Sequence, residues 1–163
     1  MTDLLNDLLT NIGLSETLAG QMAQASAIAF VFVLAVLAFV IAKWLLPRAV
    51  SAVSRRTATT WDDKLVEHRV FFWIAHLAPA IVIYWLAPQA LTGYEIWSSI
   101  VVSAALVYMI VVSVLAIEAL LNSILAIYQS YEMSRAVPLR GFFQVAKIVL
   151  YLFAVILIIA LLL

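Results

Sequence analysis

Two ionisable side chains interrupt otherwise apolar stretches of this 163-residue chain. His76 lies within the run VFFWIAHLAPAIVIYWLA, and Glu118 follows a long uncharged stretch that begins at Ile96. An ionisable residue inside a membrane-spanning segment is a functional candidate by default, because lipid disfavours its charged form. Glu118 falls near the end of its stretch, where that cost is small. We therefore predict a hydrogen-bonded structural pair of His76 and Glu118 rather than a proton relay.

A second group of polar residues lies in the segment TWDDKLVEHR. Asp63, Glu67 and His68 resemble a metal-ligand set, but a single histidine is weak support for one. The plainer interpretation is the start of a helix, with Thr60 or Asp62 as N-cap and acids in the first turn. The sequence also contains no Ser-His-Asp set, HExxH motif or glycine-rich phosphate loop. We predict no metal, no cofactor and no enzymatic activity.

The composition indicates which solvent surrounds these residues. Hydrophobic residues make up 67% of the chain and charged residues 11%, and the mean hydropathy is +1.15. A soluble domain is about a quarter charged, and a chain of this length cannot bury so much apolar surface in water. The predicted fold is therefore an all-α membrane protein. The absence of cysteine excludes disulfides and thiolate chemistry.

Hydropathy divides the chain into a predicted amphipathic interfacial segment, 1–20, and a transmembrane domain, 21–163. About 20 apolar residues cross a hydrocarbon core roughly 30 Å thick. Four spans are predicted, at about 21–44, 70–87, 96–121 with a cytoplasmic extension to about 134, and 142–163. Pro79 predicts a kink in the second span, and Pro88 its end. The first span carries small residues that favour close approach of another helix, namely Ala23, Ala25, Ala27 and Ala29.

Basic residues predict the orientation of the spans. Lys and Arg number zero before the first span, six in the loop 43–69, zero in the second loop and three in the third. By the positive-inside rule, the N-terminus and C-terminus lie outside, and the basic loop 43–69 is cytoplasmic. Inner-leaflet lipid headgroups are then the predicted contacts of Arg48, Arg55, Arg56, Arg140 and Lys147. Topology explains these charges without nucleic-acid binding.

Two sequence elements carry a family resemblance. TWDDKLV at 60–66, followed by a span, and then PLRGFFQ at 138–144 leading into KIVLY at 147–151, resemble the MscS-like mechanosensitive ion channels. The similarity is greatest to the five-helix, miniconductance-type branch, and it extends from about residue 20 to the end. The pore-lining helix and cytoplasmic domain of that family have no counterpart here. The chain also ends within an apolar run, which indicates a truncation.

The resemblance implies a function and an assembly. The chain would be the peripheral, tension-sensing part of a channel in the bacterial inner membrane, acting in osmotic-shock protection. It would contact membrane lipids and belong to a homoheptamer. Pro79 and Gly141 are the predicted flexible points. The alternative is a small membrane scaffold or subunit that conducts no ions, and a transporter or membrane enzyme has less support because few polar residues are buried.

Overall fold

The computed structural model describes residues 16–54, 61–130 and 139–163. These ranges contain helices and no strand: α1 (Glu16–Ser54), α2 (Trp61–Glu67), α3 (Val70–Ala75), α4 (Leu77–Ala90), α5 (Glu95–Gln129) and α6 (Arg140–Leu162). The predicted all-α fold is confirmed for the described residues. Most of the predicted interfacial segment 1–20 lies outside them.

Four helical stretches in the described ranges are long and apolar enough to cross a membrane. They are Leu18–Val50, Val70–Ala90, Glu95–Gln129 and Arg140–Leu162. Two of them are much longer than a hydrocarbon core of roughly 30 Å requires, since the 33 residues of Leu18–Val50 measure about 50 Å and the 35 residues of α5 about 52 Å. Helix α5 is continuous over this whole length, and its predicted cytoplasmic extension stays a prediction.

Helix α1 runs ten residues beyond the predicted end of the first span at residue 44. Pro47 lies inside α1, and it cannot donate a hydrogen bond to the Lys43 carbonyl. The guanidinium of Arg48 donates to the neighbouring Trp44 carbonyl at 3.1 Å and stacks on the Trp44 ring. The segment 43–69 is therefore largely helical rather than an extended loop, because α1 and α2 occupy much of it.

The helices are arranged in a single row. Helix α1 packs on α4 and α3, these pack in turn on α5, and α6 packs on α5. The short helix α2 lies between the ends of α1 and α5 and contacts both. Because a row has no enclosed centre, the four long helical stretches leave most of their apolar surface without a neighbour among the described residues.

Small residues set the spacing between α1 and α4. The buried positions of α1 recur every four residues and are Ala19, Ala23, Ala27, Val31 and Ala35. Helix α4 contributes the buried alanines Ala87 and Ala90 to this contact, whereas its third buried alanine, Ala80, lies beside α5. Small side chains let two helix backbones approach closely, which gains dispersion contacts where lipid removes any hydrophobic driving force. Of the four alanines predicted to serve this role, Ala25 and Ala29 instead face outward.

The second apolar stretch is broken at His76, between α3 and α4. Pro79 follows three residues later and has no N–H to donate to the Ala75 carbonyl. The His76 N–H donates to the Trp73 carbonyl at 3.1 Å, which is the tighter i−3 pattern. Helix α4 then continues through Pro88 to Ala90, past the predicted end at 87, and the Leu91 N–H donates to the Ala87 carbonyl at 2.9 Å.

Left-handed backbone marks two junctions between helices. Gly93 has a φ of 88° in the turn between α4 and α5, where glycine adopts this conformation without steric cost. Arg69 has a φ of 58° and separates α2 from α3, and its N–H donates to the Val66 carbonyl at 3.0 Å. That bond satisfies one of the last carbonyls of α2, as in a Schellman-type helix end.

Candidate functional site at the basic end

The described basic residues gather at one end of the row of helices. The end of α1, the start of α3, the end of α5 and the start of α6 all lie there, because the long helices alternate in direction. Two contacts confirm the arrangement, Ser123 Oγ to the Lys64 carbonyl and Lys147 Nζ to Asn122. The described members of this basic end are Lys43, Arg48, Lys64, Arg69, Arg140 and Lys147.

Four polar side chains join α5 to α6 near this end, and we call them the polar clamp: Glu118 and Asn122 on α5, Lys147 and Tyr151 on α6. Lys147 Nζ donates to Asn122 Oδ1 at 2.7 Å and lies 3.4 Å from Glu118 Oε1. The Tyr151 hydroxyl donates to Glu118 Oε2. Each helix contributes residues one turn apart, so the two pairs stack along the antiparallel interface.

The positive charge of Lys147 and the negative charge of Glu118 compensate each other within the polar clamp. The side chains of Lys147 and Glu118 are 24% and 26% exposed, so both have lost most of their contact with the surroundings. Opposite charges with additional hydrogen-bond partners are the arrangement that makes such burial tolerable. In α6, Ala154 is the buried residue, and most other side chains face outward. Within the described ranges, the polar clamp is therefore the main specific attachment of α6 to the other helices.

The predicted pair of His76 and Glu118 is not formed, and both residues lie in described parts of the chain. Glu118 bonds to α6 instead, because Lys147 offers a full positive charge and Tyr151 a hydroxyl donor. Lys147, predicted to contact lipid headgroups, points toward α5 for the same reason. Arg140 is exposed at the start of α6, and Arg55 and Arg56 lie outside the described residues.

Sequence reasoning did not assign Asn122 and Tyr151 to a site. The spacing in the sequence could have indicated both residues, since Asn122 lies four residues after Glu118 and Tyr151 lies four residues after Lys147. Positions four apart share one face of a helix. Pairing those two faces required knowing that α5 and α6 are neighbours, which is a property of the fold.

His76 fills the break between α3 and α4. Its Nδ1 lies 2.7 Å from the Phe72 carbonyl oxygen, and because a carbonyl only accepts, Nδ1 carries the proton. In a continuous helix that carbonyl would accept from the His76 backbone N–H, which here donates to Trp73. The imidazole also lies among three rings, with centroid distances of 4.7 Å to Phe39, 4.4 Å to Phe72 and 6.0 Å to Trp73. His76 thus satisfies the backbone at the break and ties α3 to α1.

Helix α2 is attached to α5 through a fully buried hydroxyl. Ser123 Oγ lies 2.9 Å from the Ala119 carbonyl of its own helix and 3.3 Å from the Lys64 carbonyl. The single proton of the Ser123 hydroxyl is shared between these two acceptors, and the residue has no exposed surface. On the outer side of α2, Lys64 pairs with Glu67 at 2.7 Å, and that hydrogen bond lowers the pKa of the Glu67 carboxyl below its usual value.

We expect Ser123→Ala to loosen the contact between α2 and α5 and to cost about 1 kcal/mol of unfolding free energy, the typical net value of one hydrogen bond. Ser99→Ala is the matched control, because Ser99 lies on the same helix and is exposed. Hydrogen–deuterium exchange of the α2 amides should rise in Ser123→Ala alone. Equal exchange in both variants would show that the hydroxyl does not hold α2.

The fold and the polar clamp together define a class: a multi-pass helical membrane protein whose last described helix is attached by polar contacts. Comparison with models of known protein families, with curated proteins and with solved structures finds no match.

Proposed function

We propose that this chain is the lipid-facing, tension-sensing transmembrane region of a mechanosensitive ion channel. One structural observation supports the proposal above all: the helices stand in a single row and expose broad apolar faces. On α6 the exposed side chains include Phe142, Ile148 and Leu152, which are 76%, 66% and 63% accessible. A surface of this kind suits contact with lipid along its whole length. The resemblance of the segments 60–66 and 138–144 to the MscS-like family points to the same function.

The proposed mechanism follows from the shape of the row. Membrane tension favours whichever conformation occupies the larger area in the plane of the bilayer. Helices in a row can tilt or separate without opening a buried core, so their area changes at small internal cost. The break at His76 and Pro79 divides one span into two segments, and Gly141 lies in the first turn of α6. These are the points at which we expect the helices to bend.

The proposed topology places the basic end in the cytoplasm of a bacterial inner membrane. The opposite end of the described helices carries Glu95 and no Lys or Arg, which accords with the positive-inside rule. Arg140 and Arg48, both exposed, would lie near anionic headgroups of the inner leaflet. The assembly would be a homo-oligomer, with seven copies as in the family it resembles, and its role would be protection from osmotic shock.

The proposal is tested by stiffening the two predicted bending points in the channel that contains this chain. We expect Pro79→Ala, which restores the N–H donor for Ala75, to raise the tension at which the channel opens. Gly141→Ala should act in the same direction, because nothing lies within 4 Å of the added methyl group and alanine favours helix by about 1 kcal/mol. Patch recording under graded suction measures the opening tension.

Pro88→Ala is the matched control, since Pro88 is exposed and lies in the last turn of the same helix α4. It should leave the opening tension unchanged. A threshold that is unaffected by Pro79→Ala and Gly141→Ala would contradict the proposed bending points. Absence of any suction-activated current from the assembled channel would contradict the function itself.

The second candidate function is a membrane scaffold or subunit that conducts no ions. It is favoured by the surface of the described helices, which is apolar nearly throughout and presents no polar face along a whole span. A scaffold would bind other membrane proteins, and those proteins would need it in order to assemble. Removing the chain should then reduce assembly of a partner complex without changing any tension-dependent current.

A further inference from the structure

We propose that an anionic phospholipid binds where α2 meets α3, with its phosphate on Arg69 and one acyl chain in an apolar groove beside α5. The groove, which we call the α3–α5 groove, has a volume of about 420 Å³. Leu65 and Val70 line it near the basic end, and Leu77 and Ser113 line it farther along α4 and α5. It therefore runs from the basic end toward the middle of the apolar layer.

The α3–α5 groove suits a hydrocarbon chain. Its volume falls in the range of roughly 300–1,000 Å³ that is typical of ligand sites. Val70 and Ala116 in its lining are buried, whereas Ile74 and Ile117 are 36% and 43% exposed, so the groove is open on one side. Ser113 alone contributes a polar side chain to the lining. A flexible acyl chain gains dispersion contacts in such a groove without needing a hydrogen-bond partner.

Arg69 supplies a positive charge at the end of the groove. It directly precedes Val70, and its N–H donates to the Val66 carbonyl, so it lies beside two segments that line the groove. Arg69 is half-buried, and within the described ranges its guanidinium has no hydrogen-bond or ion-pair partner. A guanidinium presents a planar fork of N–H donors that fits the oxygens of a phosphate. The charge and the groove therefore match the two chemical parts of a phospholipid.

The depth of Arg69 in the bilayer also matches a lipid phosphate. The apolar stretch Val70–Ala90 contains 21 residues, which measure about 31 Å as helix. This length equals the roughly 30 Å of a hydrocarbon core, so Arg69 stands at its edge, next to the headgroups. A chain attached to a phosphate at that level enters the core in the direction from Val70 to Leu77. That is the direction in which the α3–α5 groove runs.

A second copy of this chain is a less suitable occupant of the same site, because it would have to bring a carboxylate to Arg69. Of the carboxylates described at the basic end, Glu67 pairs with Lys64 and Glu118 belongs to the polar clamp. Anionic lipids instead supply phosphates at this depth and are attracted to basic side chains. The proposal is independent of channel activity, since it requires only that the long helices span a bilayer.

Native mass spectrometry of the purified chain tests the phosphate contact by titration with phosphatidylglycerol or with phosphatidylcholine of the same acyl chains. The first phosphatidylglycerol should bind about fivefold more tightly than the first phosphatidylcholine, and Arg69→Gly should remove that difference. Glycine keeps the left-handed φ of 58° without steric cost, so this variant removes the cation while preserving the junction. Arg140→Gln is the control, because Arg140 is exposed at the start of α6 and its loss should leave the first binding step unchanged.

Ser113→Phe tests the acyl-chain contact, because the added ring fills the α3–α5 groove and should weaken phosphatidylglycerol binding severalfold. Ser99→Phe adds the same ring at an exposed position of α5 outside this groove and should have no effect. Equal losses in Arg69→Gly and Arg140→Gln would overturn the proposal, as would equal affinity for the two lipids. If Ser113→Phe abolishes self-association and leaves lipid binding intact, the groove belongs to a second copy and the proposal is wrong. Channel recordings test the proposed function separately.

Discussion

Lys147→Met is expected to destabilise the protein by about 2 kcal/mol, because it leaves the Glu118 carboxylate without its cation in an apolar setting. Removing one partner of a buried ion pair costs more free energy than the intact pair contributes to stability, because the remaining charge has lost its hydration. Here both side chains keep about a quarter of their exposure, which lowers the cost below that of a fully buried pair. Asn122 also loses its donor. Steric trapping in bicelles measures the change in unfolding free energy.

The double variant Glu118→Gln with Lys147→Met distinguishes the effect of an unpaired charge on stability from the effect of lost packing. It should recover most of the stability that Lys147→Met loses, because no unpaired charge remains and glutamine still accepts from Tyr151. Arg140→Met is the control for loss of a positive charge on α6, since Arg140 is exposed at the start of that helix. The loss of stability in the double variant is compared with the sum of the losses in Glu118→Gln and Lys147→Met. If the two are equal, Glu118 and Lys147 do not act as a unit.

Ala27→Leu is expected to separate α1 from α4 and to cost about 3 kcal/mol of unfolding free energy. Ala27 has no exposed surface and belongs to a small buried cluster with Val31 and Ala90. A leucine there has no space between the two backbones, so the helices must move apart and lose contacts along the whole row of alanines. The same bicelle measurement reports the loss.

Ala25→Leu and Ala29→Leu are the matched controls, because both positions lie within two residues of Ala27 and face outward. Each should change stability by less than about 0.5 kcal/mol, as expected of surface substitutions away from any special contact. A loss in the controls as large as that in Ala27→Leu would show that α1 contacts α4 through a different face.

Composition and hydropathy were sufficient to predict the class and the count of membrane-length helices. A helix that lies in lipid must be apolar over about 20 residues whatever its neighbours are, so length and hydropathy reveal it directly. The spacing of apolar residues was less informative about which helix faces pack together, because apolar residues cover all sides of these helices. The four alanines of α1 illustrate the limit: the sequence identified the group, but the two that face α4 were not distinguished from the two that face outward.

Helix ends and polar partners depended on contacts between distant segments. Pro88 was predicted to end the second span, yet α4 continues through it to Ala90, and Pro47 likewise lies inside α1. The partner of Glu118 was predicted on the adjacent span and found on α6, 33 residues along the chain at Tyr151. Composition and hydropathy by themselves determined that lipid is the solvent and that four helices meet it, since both follow from local properties of the chain. Only the tertiary structure decided which helix faces pair and which charges meet, because those depend on the order of helices in the row.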